Sequence, residues 1–174
     1  LIIINRCPEG VDRSGFRRAL KVQNPMAQLI FEGMDGKIIQ PTAEDLPFDI
    51  KENPIKVEDE VFGIWYVDAY DHPDQYMDKE IEFVAQAFRP KGMKNDMFVP
   101  VRKIMTCCAD DTTFLGYVCK SAYAPKLNPG EWVEVTAKIG VERRNEYQGE
   151  EGIVLYADHV EVCEPLADEM VYFN

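Results

Sequence analysis

The chain has 174 residues, which is long enough for one sizeable hydrophobic core or for one small domain and a fragment of another. Its formal charge of −12, from 31 acidic and 19 basic residues, argues against nucleic acid as a partner, because phosphate binding requires a basic surface. No apolar run is long enough to cross a membrane, and five cysteines without spaced pairs indicate a reducing, cytoplasmic environment.

The N-terminal residues predict a fragment of a parallel α/β sheet. Residues 1–7 form an apolar run that is typical of a fully buried strand. Residues 11–22 have helical spacing of apolar side chains and end before Asn24 and Pro25, and residues 27–31 read as a second strand. Strand, helix and strand make half of a crossover unit, so we expect a piece of a longer protein.

The same segment carries a resemblance to a known family. Ile-Ile-Ile-Asn-Arg-Cys at 2–7 and Asn-Pro-Met-Ala-Gln-Leu-Ile-Phe at 24–31 resemble the end of the nucleotide-binding domain of CobW/HypB/UreG P-loop GTPases, which are associated with metal delivery. The family motif Asn-Lys-x-Asp implies that Asn5 and Arg6 are remnant nucleotide-binding residues, while Pro8 replaces the aspartate that reads guanine. No G-x-x-x-x-G-K-[ST] loop occurs in the sequence, so we expect GTP to bind only to the full-length parent protein.

The middle of the chain predicts a linker followed by a helix. Residues 34–56 combine prolines, a glycine and acidic side chains in a pattern of turns and extended chain. Residues 59–70 predict a helix, or a short strand and a helix, and we expect Phe62, Trp65 and Tyr66 to cover one end of a barrel.

The C-terminal half predicts a small all-β unit. Apolar residues alternate along the fourth of five strand candidates, which lie at residues 79–89, 97–107, 113–121, 131–143 and 152–162. Five strands in so short a segment favour a closed barrel of the OB type. The predicted fold class is therefore α+β, with a β-α-β remnant of a nucleotide-binding α/β domain followed by a five-stranded OB-like barrel. We divide the chain into a GTPase remnant, a linker and a barrel domain with an acidic C-terminal tail, at residues 1–33, 34–56 and 57–174.

This half carries a second resemblance. Short segments recur in the order known from the C-terminal domain of the YcgQ-like family, at residues 76–80, 88–90, 105–111, 130–133 and 171–173. Members of that family are assigned as subunits of a two-component membrane permease. The resemblance implies a permease subunit or another protein as partner, and a fusion to a metal-delivery GTPase would account for both halves of the chain.

Thiols and carboxylates cluster between the second and third strand candidates. Cys107 and Cys108 are adjacent and are followed by Asp110 and Asp111 in a short polar turn, and Cys119 lies on the returning strand. Thiolates bind borderline metals such as zinc, so these five residues are the candidate metal ligands. Free cysteine is also among the most buried residue types, and Cys119 by itself favours a core position.

These patterns predict an accessory C-terminal region of a metal-homeostasis protein that binds a metal ion or a partner through a thiol-rich barrel site. No residues form a catalytic set, so we do not expect this fragment to be an enzyme. Two alternatives remain open at this point. Cys107 and Cys108 could cycle between a dithiol and an oxidised form, or the barrel could serve only in protein interaction.

Overall fold

The computed structural model describes residues 46–105, 112–147 and 149–171. It contains the strands β1 (Ile55–Lys56), β2 (Glu80–Phe88), β3 (Met97–Met105), β4 (Thr112–Gly116), β5 (Val118–Lys120), β6 (Trp132–Arg143) and β7 (Glu151–Val162). The helices are α1 (Phe62–Asp71) and α2 (Pro73–Tyr76), with 3-10 turns at Asp59–Val61, Ala124–Lys126 and Asn145–Tyr147. The β-α-β unit predicted for residues 1–33 lies outside the described residues.

The strands close into a five-stranded barrel. Around the barrel the order is β2, β6, β7, β5 and β3, and β3 pairs with β2 again to complete the circle. The β5–β7 pair is parallel, and the other pairs in the circle are antiparallel. The prediction of an OB-like barrel is confirmed.

The third barrel strand differs from its prediction in being interrupted. The sequence predicts one strand over 113–121, whereas the structure has β4 and β5 separated by Tyr117. The Tyr117 side chain is buried, and its hydroxyl donates a 2.6 Å hydrogen bond to the Tyr66 carbonyl of α1. Just before it, Gly116 pairs with Val101 of β3 and lies too close to the Pro100 carbonyl for a Cβ, so this position requires glycine.

Helix α1 covers one end of the barrel, as its aromatic residues predict. Phe62 and Trp65 are 1% exposed, and the Trp65 ring lies 5.4 Å from the Phe83 ring of β2. The rings of Tyr66 and Tyr117 stack with centroids 4.6 Å apart. Within the described residues, no helix has the length and apolar character needed to span a bilayer.

The barrel is splayed between β2 and β3. These strands pair only where residues 86–88 meet residues 99–101. Beyond that point β2 pairs instead with β1, which lies in the segment predicted as a linker, and β3 forms a bridge from Lys103 to Met170 near the C-terminus. The opening between β2 and β3 is therefore closed by segments from before and after the barrel.

Candidate functional site

The predicted hairpin that carries the thiols is present. β3 and β4 are antiparallel, and their last register pair joins Met105 to Thr112. Cys107, Cys108, Asp110 and Asp111 lie between these paired ends and outside the described residues. Their role as ligands therefore stays a prediction.

Cys119 is described, and it lies in the barrel core. Its side chain is fully buried, and it pairs across the sheet with Phe98, seven positions before Met105, where β3 ends. At about 3.3 Å per residue, these seven positions span about 23 Å of strand. Burial raises the pKa of the Cys119 thiol well above its ordinary value, which opposes formation of the thiolate that binds metals. Cys119 therefore fits the alternative interpretation, a buried core residue, better than the predicted role of metal ligand.

Arg102 fills the opening between β2 and β3. It lies on the inward-facing side of β3, in the same alternation as Phe98 and Ile104, and is 1% exposed. Its guanidinium carbon lies 5.6 Å from the ring centroids of both Phe62 and Trp132, so the cation is held between two aromatic rings.

The hydrogen bonds of Arg102 are incomplete. Nη1 donates to a carboxylate oxygen of Asp59 at 2.8 Å and to the Val84 carbonyl at 3.3 Å. Nη2 reaches the Asp168 carbonyl only at 3.5 Å. Nε is buried and has no partner among the described residues, so one edge of a buried cation lacks an acceptor.

The C-terminal segment lies along β3 beside Arg102. The Val171 amide donates to the Lys103 carbonyl at 2.8 Å, and the Lys103 amine contacts Glu169 at 2.6 Å. The carboxylate of Asp168 accepts a 2.9 Å bond from the Met170 amide of its own segment. The side chain of Val171 is buried, so the C-terminal segment packs against the barrel at this residue.

A second apolar cluster covers the outside of β3, β5 and β7. Its members face away from Phe98 and the barrel interior; the cluster comprises Met97, Val99, Val101, Val118, Tyr147 and Val154, with Phe88, Met93, Phe114 and Tyr156 at its margin. Met93 lies in the β2–β3 loop and Tyr147 in the β6–β7 loop, so both loops cover this face. OB barrels commonly bind ligands on this face, whereas here it is packed with the chain's own side chains.

A charged network lies beside this cluster and is centred on Glu142 of β6. The Lys120 amine donates to both Glu142 carboxylate oxygens at 2.7 and 2.9 Å, and the Tyr156 hydroxyl and Arg144 Nη1 also donate to this carboxylate. These donors, Lys120 first, lower the pKa of Glu142 to about 2. Arg144 also contacts Glu146, so the cations of this network are already neutralised within the chain.

Comparison with known families adds a classification. Residues 38–173 match the family model of the DUF1980 C-terminal domain. The chain belongs to this family. This match confirms the predicted resemblance of the C-terminal half to the YcgQ-like family. The match begins after residues 1–33, and no finding supports the GTPase segment predicted there.

Solved structures with a similar chain path include single-stranded DNA-binding proteins. Mitochondrial Rim1 from S. cerevisiae is 12% identical, with a TM-score of 0.28, and the match covers 49% of this chain and 94% of that one. A small single-stranded DNA-binding protein from Streptomyces coelicolor is 11% identical, with the same TM-score and coverage. No curated protein matches the sequence.

Sequence reasoning did not identify Arg102 or Glu142 in this DUF1980 domain. The position of Arg102 was accessible in principle, because it shares the alternation of Phe98 and Ile104 and so falls on the buried face. Glu142 had no such signal, since Lys120 and Tyr156 come from other strands and meet it only in the closed barrel.

Proposed function

We propose that this DUF1980 C-terminal domain is a cytoplasmic binding module, the accessory region of a metal-homeostasis protein of the GTPase type, and that it binds zinc at the β3–β4 connection. A permease subunit or another protein is its proposed partner. The observation that carries the proposal is the register pair Met105–Thr112, which confines two thiols and two carboxylates to one short connection.

The donor set suits zinc. Cysteine thiolates and carboxylates are both zinc ligands, and Cys107, Cys108, Asp110 and Asp111 supply four such groups in one loop. Cys119 is left out of this set because its strand position and burial separate it from the connection. Within residues 46–105, 112–147 and 149–171 no other group of three His, Cys, Asp or Glu side chains is placed to hold a metal ion.

The proposal excludes nucleic acid as the partner, and the contacts of three basic residues support this. Lys120 and Arg144 are paired with Glu142, and Arg89 donates to the backbone carbonyls of Asn95 and Ala124. Binding of single strands requires cations free to contact phosphates and aromatic rings free to stack on bases. The rings of Phe88 and Phe114 instead stack on each other, with centroids 6.1 Å apart.

Zinc titration of the full chain tests the metal site. We expect Cys107→Ser and Cys108→Ser each to lower the zinc retained after purification without chelator and the protons released on zinc addition, because thiols must ionise to bind. Cys163→Ser is the matched control, since Cys163 lies after β7 and outside the proposed ligand set. Equal melting temperatures with and without zinc, together with unchanged thiol reactivity, would refute the metal site.

A further inference from the structure

The edge of β3 at Arg102 and Lys103 offers backbone and charge to an extended chain. Past Val101 this edge no longer pairs with β2, and the described residues that occupy it are those of the C-terminal segment. A strand edge of this kind binds extended peptides through main-chain hydrogen bonds, and side-chain contacts provide the specificity. The segment that occupies the edge is itself acidic, and its Glu169 contacts Lys103, so an acidic peptide is the complementary ligand.

The described residues of the resident segment, 168–171, make few contacts with this edge. Besides the Lys103–Met170 bridge, the Val171 amide donates to the Lys103 carbonyl, and Glu169, whose side chain is 46% exposed, forms an ion pair with the Lys103 amine. Exposed ion pairs contribute little binding free energy, so burial of Val171 is the main contribution from residues 168–171.

The resident segment also leaves Arg102 incompletely bound. The carboxylate of Asp168 is directed to the Met170 amide, and only its carbonyl reaches Arg102 Nη2, at 3.5 Å. The buried Nε has no partner among the described residues. A carboxylate on the Nε–Nη2 edge would complete the guanidinium with the paired geometry that arginine favours.

We propose that the β3 edge at Arg102 and Lys103 is a docking site for an extended acidic segment of a partner protein, which replaces residues 168–171 and places a carboxylate against Arg102. The resident segment then acts as an internal competitor, because its covalent attachment gives it a high effective concentration. This docking site is independent of the zinc site proposed above.

Peptide binding to the full chain tests the proposal. The probe is a fluorescein-labelled peptide with the sequence of residues 167–174, and the host is Val171→Asp, which disfavours docking of the resident segment. We expect this host to bind the peptide at least about tenfold more tightly than the wild type, because the internal competitor is weakened. Val162→Asp, at a valine that is 57% exposed on β7, is the matched control and should bind like the wild type.

The role of Arg102 is tested by lengthening the acidic side chain of the probe. We expect the Asp168→Glu peptide to bind more tightly than the original, because its carboxylate can extend beyond the Met170 amide. In a host that also carries Arg102→Met and still unfolds cooperatively, the Asp168→Glu peptide should bind no more tightly than the original peptide. The Cys107→Ser/Cys108→Ser chain carrying Val171→Asp should keep peptide binding, which separates this site from the zinc site.

A charge exchange covers the case in which Val171→Asp does not fold. The full chain with Lys103→Glu should bind a Glu169→Lys peptide more tightly than the original peptide. The chain that keeps Lys103 should show the opposite preference. Absence of this preference, or equal peptide binding by folded Val171→Asp and Val162→Asp hosts, would overturn the proposal. A Val171→Asp chain that dimerises in light scattering would also overturn it, because a second copy and not a partner would then occupy the edge.

Discussion

Two carboxylates of this barrel each accept a hydrogen bond from a tyrosine, and their pKa values shift in opposite directions. Asp68 of α1 accepts from Tyr76 at 2.5 Å in a buried position, and desolvation raises its pKa despite that bond. Glu142 accepts from Tyr156 and also from Lys120, and its pKa falls to about 2. The comparison shows that the hydrogen bond from the phenol does not decide the direction of the pKa shift. Burial without a strong cation raises the pKa, and pairing with cations lowers it.

The largest loss of stability should come from truncating Trp65, a core side chain of α1, the helix that also carries Asp68. Trp65 contacts the rings of Phe62, Phe83 and Tyr117, so Trp65→Ala should lower the free energy of unfolding by about 3–5 kcal/mol. Denaturant unfolding measures the change. Tyr123→Ala, at a side chain that is 40% exposed, is the control, and a similar loss there would contradict the assignment of the core.

A smaller loss is expected when the charged network is broken. Glu142→Gln should cost about 1 kcal/mol at neutral pH, because Lys120 and Arg144 lose charged partners in a partly exposed site. The folded pKa lies below the ordinary value of 4.5, so the Glu142 contribution is present above pH 4.5 and is lost as the pH falls towards 2. Urea unfolding at a series of pH values should show a weaker acid dependence in the variant than in the wild type.

Asp68→Asn should change the free energy of unfolding by about 1 kcal/mol or less, and this change should depend on pH in the opposite direction to that of Glu142→Gln. Because the folded pKa of Asp68 is raised, its contribution is fully present below the unfolded value of 3.8 and is lost as the pH rises through the folded value. Relative to the wild type, the asparagine variant should therefore gain stability as the pH rises. A constant difference between the two proteins at all pH values would contradict the raised pKa.

The smallest effect is expected for an exposed ion pair remote from both carboxylates. The Lys138 amine lies 3.1 Å from Asp78, and their side chains are 52% and 77% exposed. Lys138→Ala should change the unfolding free energy by less than about 0.5 kcal/mol, since solvent screens such pairs. A loss as large as that of Glu142→Gln would show that ion pairing alone, without partial burial, accounts for the stabilisation by the Glu142 network.

Most of the barrel could be predicted because its signals are local. The alternation of apolar residues along β6 and the acidic break between β3 and β4 are visible in the sequence, and both strands and their hairpin are observed. The candidate thiol loop was located by the same local pattern. The interruption at Tyr117 was missed, because it depends on a hydrogen bond to α1, which is distant in sequence.

The sequence by itself determined where most of the strands lie along the chain and which of their residues share a face, since side-chain direction alternates along each strand irrespective of its neighbours. Only the tertiary structure decided the environment of the charged groups. Arg102 is buried because β2 and β3 separate beside it, and Glu142 is ionised because Lys120 and Tyr156 reach it from two other strands. Desolvation and ion pairing depend on distances between residues far apart in the chain, and these distances exist only once the barrel has closed.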